Sequence, residues 1–177
     1  MKWILLLAAF FSAFSLGTEG VSADEKLSSV SGTVSFEQFG YPYFVKNTLS
    51  PPAGLRTLIL VFDQYEKFDE VFGVGWVMGT DPHTIKADYF KDYRVVSFIE
   101  WGNVPWKYTI RRITKEGNRL IVKVSKTGVP SETAQFTPCV ILGIPRAELN
   151  GTEKILFDFI PEDAPVTEAG EVISAEL

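Results

Sequence analysis

The side chains best suited to chemistry are few. His83 is the only histidine and Cys139 the only cysteine. Within hydrogen-bond reach of each other they would form a Cys–His dyad. Their settings speak against it. His83 stands in Thr80-Asp81-Pro82-His83-Thr84, a turn sequence, and Cys139 opens the continuously apolar run CVILGI, which marks a buried core thiol. One His and one Cys also fall short of the four ligands of a structural zinc. Asp63, Glu66, Asp69 and Glu70 fall close together, yet no Asp-x-Asp-x-Asp-Gly loop is present, so they read as a solvated helix face. The expectation is therefore no metal and no cofactor. Two carboxylates from distant strands suffice for glycoside hydrolysis. Asp63 and Glu100, each at the end or edge of a predicted strand, are the pair on which a secreted glycan or peptide hydrolase would rest. The remaining group is aromatic: Trp76, Trp101, Trp106 and Tyr108. Large aromatics near strand ends offer a stacking or docking surface for a partner, and we take Trp101, Trp106 and Tyr108 as candidate partner-binding residues.

The stretch Trp106 to Lys126, WKYTIRRITKEGNRLIVKVSK, is the element around which these residues must be placed. Its two arms alternate apolar and polar residues with the period of half-buried strands, and Glu116-Gly117-Asn118 between them supports a tight turn. Asp92 to Trp101 reads as a strand with Val95, Ser97, Ile99 and Trp101 on one face and Val96, Phe98 and Glu100 on the other. Val30 to Phe39 reads as a first strand, with Tyr41 to Val45 as its continuation after a bend or bulge at Gly40. Thr57 to Phe62, Cys139 to Ile144 and Lys154 to Ile160 read as buried strands. Tyr65, Phe68, Val71 and Phe72 recur at helical spacing, which predicts one short helix over 64–72 with Asp63 as its N-cap and Gly73 as its end. The fold class follows: mainly β, an antiparallel sandwich or partly open barrel with one short helix.

Lys2, the apolar run from Trp3, and Val21-Ser22-Ala23 read as a secretory signal peptide over 1–23, cleaved after Ala23. The run is too short for a good membrane span, so the mature chain is expected to be soluble, and secreted or periplasmic. Residues 24–160 read as a single β-rich domain. Residues 161–177 carry five acids and no base and read as a disordered or loosely attached tail. A net charge of −5 with scattered Lys and Arg argues against nucleic acid as a partner, and the longest basic cluster, Arg111-Arg112 with nearby Lys107 and Lys115, reads as a solvated strand face.

The order of these pieces resembles a known family. A strand ending in an acid, a short helix with Phe and Glu, FKDYRVVSFIEWG, the WKYTIRRITKEGNRLIVKV hairpin and FTPCVILGIPRAEL together resemble the C-terminal domain of bacterial PrcB-type protease-complex subunits, over residues 57–149. Where that family has Gly-Gly-Tyr before its first hairpin strand, this chain has Val104-Pro105-Trp106-Lys107-Tyr108, so only the tyrosine carries across. The resemblance implies an exported, non-enzymatic accessory module that binds a partner protein in an extracellular protease complex.

Overall fold

A computed structural model describes residues 32–40, 43–51, 53–75 and 83–177. The predicted signal peptide and Trp76 lie outside the described residues. In chain order the strands are β1 (Gly32–Thr33), β2 (Glu37–Phe39), β3 (Tyr43–Val45), β4 (Thr57–Phe62), β5 (Phe72–Val74), β6 (Tyr93–Glu100), β7 (Lys107–Glu116), β8 (Arg119–Thr127), β9 (Cys139–Pro145), β10 (Lys154–Ile160) and β11 (Glu171–Glu176). One α-helix, α1 (Tyr65–Val71), separates β4 from β5, and two 3-10 segments, Ala87–Lys91 and Arg146–Leu149, precede β6 and follow β9. No helix among the described residues is long and apolar enough to cross a membrane.

The strands form a mainly β sandwich with no sheet closed into a barrel. One sheet has the order β1-β7-β8-β10-β11, the other β2-β9-β6-β4, and β3 pairs with β5 as a separate ribbon. Neighbours are antiparallel except β8 and β10, which run parallel because the chain crosses to the other sheet through β9 between them. A pairing between such distant segments leaves no mark in local periodicity.

Two cores explain why these runs are strands. Val96 and Phe98 of β6, with Val140, Leu142 and Ile144 of β9, pack between the sheets against Ile113, Leu120, Val122, Val124, Ile155, Phe157 and Phe159. Their neighbours Val95, Ile99 and Ile141 point to the opposite face and meet Phe62, Phe68, Phe72, Phe90 and Phe39 under α1. A strand covered on both faces has to be apolar at every position, which accounts for the unbroken runs in β6 and β9. Gly117 supplies the left-handed residue of the β7–β8 turn, at φ 62°. Ile110 and Ile113 both face the core although three residues apart, and a bulge at Arg111 absorbs the extra position.

Several expectations need correction. Val30 to Phe39 is not one strand: β1 joins one sheet and β2 the other, and Val34 at the crossing is buried between them with its N–H donated to Ile113 O. The N-cap of α1 is Gln64, without a side-chain cap, because Asp63 is drawn to Arg94 and Arg146 instead. The helix runs directly into β5 at Phe72 rather than ending in a glycine turn. The acidic tail is ordered in part. Residues Glu171–Glu176 pair along β10 from Lys154 to Phe159, Ile173 packs on the core, and Gly170 N–H donates to Asp158 Oδ1. Backbone pairing and one apolar face outweigh the acidic composition there.

Adjacent residues on β6 yield a sharp test. Phe98→Ala empties space between the sheets and is expected to destabilise by about 3–5 kcal/mol. Ser97 is fully buried on the other face with a hydroxyl that makes no hydrogen bond, so Ser97→Ala is expected to be neutral or stabilising by about 1 kcal/mol. Denaturant titration of both variants measures the contrast, and equal losses would place the two faces wrongly.

Candidate functional site

Glu100 ends β6 on the face of the inter-sheet core, where the strand leaves its double cover. Its carboxylate is only 17 % exposed and is surrounded by donors. Trp106 Nε1–H donates to Oε1 at 3.0 Å, Tyr108 O–H donates to Oε2 at 2.8 Å, and the Lys126 ammonium stands 3.4 Å from Oε2. The hairpin places all three donors. Tyr108 and Lys126 face each other in the β7–β8 register, and Trp106 lies immediately before β7. Lys126 Nζ also lies 4.7 Å from the Trp106 ring centre and 4.9 Å from that of Phe159, so one ammonium serves both the carboxylate and two aromatic faces. The indole also meets Gly128, where an added Cβ would stand 3.0 Å from the ring and 2.7 Å from a Val104 methyl carbon, so the close approach favours a glycine.

With its N–H and one face engaged, Trp106 lines a cleft of about 250 Å3 together with Phe39, Tyr43, Phe44, Pro138 and Cys139. The cleft opens where β2 stops short. β2 pairs only with Ile141 to Gly143 of β9, so Cys139 and Val140 have no strand beside them on that side among the described residues. Phe44, on the β3–β5 ribbon, is half exposed at the rim. Cys139 faces the core under α1, and burial pushes its thiol up to about 11. Burial, and then the hydrogen bond to Glu100, raise the Tyr108 phenol well above its ordinary value, and burial followed by a hydrogen bond to Glu37 does the same to Tyr89.

The sequence-predicted residues thus divide. Trp106, Tyr108 and Glu100 come together. Trp101, one residue after Glu100, turns to the opposite face and packs partly buried on the core under α1, and it is not among the residues that line the cleft. Asp63 follows β4 and lies beside the other end of β6: it bridges Arg94, six residues before Glu100, a separation of about 20 Å at strand rise. That is too far for one sugar ring, and Glu100 already has its donors. His83 stacks on Phe39 at 5.6 Å, and no hydrogen bond joins it to Cys139. It borders a polar hollow of about 500 Å3 with Tyr89 and Tyr93, away from the Glu100 cluster. Lys126 and Phe44 were missed by sequence reasoning. Lys126 is legible as the cross-strand partner of Tyr108 once the Gly117 turn fixes the register, whereas Phe44 carries no local signal.

No family model, curated protein or solved structure matches the chain.

Two titrations check these environments. With a thiol value near 11, about a thousandth of Cys139 is thiolate at pH 8, so a disulfide reagent should react slowly with the native protein and fast in denaturant. Comparable rates would show an accessible, activated thiol. The Tyr108 and Tyr89 phenols hold their protons more tightly folded than unfolded. The stability they contribute is therefore complete below the ordinary phenol value of about 10 and is lost as pH rises above it. Absorbance at 295 nm and circular dichroism should show these two phenols ionising only as the protein unfolds, and ionisation of every phenol near pH 10 in the folded protein would contradict the burial.

Proposed function

We propose that the chain is an exported, non-enzymatic interaction module that binds a partner protein at the Trp106 cleft. The observation that carries this reading is the fixed indole: Glu100 and Lys126 hold Trp106 in one orientation, beside a cleft with the half-exposed Phe44 at its rim. An aromatic anchor immobilised before binding loses little further entropy, which is what distinguishes strong contact residues from merely exposed ones. The cleft admits an apolar side chain from the partner. The resemblance to PrcB-type subunits points the same way, toward an accessory role in an extracellular protease assembly. No observation favours hydrolysis by Asp63 and Glu100, which lie beside opposite ends of β6.

Export is tested by the N-terminus of the secreted protein, expected at Asp24. Binding is tested by comparing proteins captured from the native secretome on the wild-type chain and on Phe44→Ala. Phe44 is half exposed, so this variant should keep its melting temperature while affinity for the partner falls about tenfold or more. Identical capture by both proteins would remove the cleft from the interface, and turnover of a peptide or glycan abolished by Glu100→Gln would replace the binding role with an enzymatic one.

A further inference from the structure

The four outer edges of the two sheets are not alike. β1 is two residues long and β2 three, while β11 carries Glu171 and Glu176 within its span. Short or charged edges of this kind resist pairing with other chains. β4 is the exception: TLILVF has six residues with no charge, no proline and an unbroken register against β6. Its outward backbone groups can be assigned. Trp101 N–H donates to Arg56 O at 2.8 Å, which sets Arg56 and every second residue after it, Leu58, Leu60 and Phe62, facing β6. Thr57, Ile59 and Val61 therefore turn N–H and C=O away from the sheet, and no backbone group among the described residues meets them there.

We propose that β4 pairs with β4 of a second copy of this chain, joining the two four-stranded sheets into one across a two-fold axis at Ile59. The strand is self-complementary in two respects. An antiparallel copy centred on Ile59 sets Thr57 opposite Val61 and Ile59 opposite itself, so every outward-facing residue meets another and each pair exchanges both hydrogen bonds. The axis keeps Ile59 and Val61 on the core side of both sheets, where they already pack partly buried. A copy seated here would also cover the slot of about 360 Å3 between Ile59, Val61 and the end of β11, where Leu177 is half exposed. The Trp106 cleft borders β2 and β9, toward the far edge of the same sheet, so pairing leaves it open and yields a two-headed binder.

Sedimentation velocity on the mature chain, combined with residue-resolved amide exchange, tests the proposal. The expected result is a dimer in which the Ile59 and Val61 amides exchange slowly and become fast on dilution, while Leu58 and Leu60, bonded to β6, stay slow throughout. Thr57→Pro, at the first position of the strand, removes an outward N–H that β6 does not use, so it should keep the fold and weaken the dimer about tenfold by deleting one hydrogen bond at each end of the joined strands. A monomer with fast Ile59 and Val61 amides at every concentration would overturn the proposal. So would a dimer whose association leaves those amides fast or is untouched by Thr57→Pro, or amides that slow only when a different protein supplies the strand.

Discussion

The structure depends on one constraint: β6 is buried on both faces. Its residues from Val95 to Ile99 alternate between the core shared by the two sheets and the core under α1, and none of the five is in contact with water. Charge is therefore admitted only at the two ends, Arg94 at one and Glu100 at the other. Each end gathers its own polar group. Asp63 and Arg146 collect around Arg94, and Trp106, Tyr108 and Lys126 around Glu100. The separation of Asp63 from Glu100 is a consequence of that burial.

At the Glu100 end the carboxylate sits mostly out of water, where an isolated charge would be costly. Three donors offset this, one of them cationic, and two of the three are aromatic side chains whose rings extend into the surroundings. A single buried acid thus orients a whole aromatic group. Tyr108 is turned inward against Phe98 and Phe159, completing the core, while Trp106 is turned toward the cleft at the end of β2. Stability and recognition share the same acceptor, so the two cannot be altered independently at this position.

How much of this was legible follows from how local each signal is. The β7–β8 hairpin and the facing of β6 are written in alternation and in continuous apolar runs, and those expectations hold, whereas Cys139, expected as a buried core thiol, is only partly buried because it sits where β2 stops short and the cleft opens. The three-residue spacing of Ile110 and Ile113 is the visible trace of the Arg111 bulge. The parity of Glu100 and Trp101, adjacent on one strand, already assigns Trp101 to the opposite face from Tyr108's acceptor. What stayed hidden is set by distant partners. The crossing at Val34, the parallel β8–β10 pair and the capture of Asp63 by Arg94 each require knowing which segment lies beside which. Strand β11 was obscured differently, since the acids of the tail mask the alternation of Val172, Ile173, Ser174 and Ala175, which becomes decisive only beside β10.

The central claim is that Glu100 acts as the acceptor that locks the hairpin aromatics in place. A double-mutant cycle of Glu100→Gln and Tyr108→Phe, read by denaturant unfolding, measures that coupling directly. A partly buried hydrogen bond to a charged group predicts a coupling energy of about 1.5–3 kcal/mol, with the Trp106 indole N–H resonance shifted in both variants that lack the carboxylate. Additive losses within about 0.3 kcal/mol, with the indole resonance unmoved, would show that the carboxylate is a bystander.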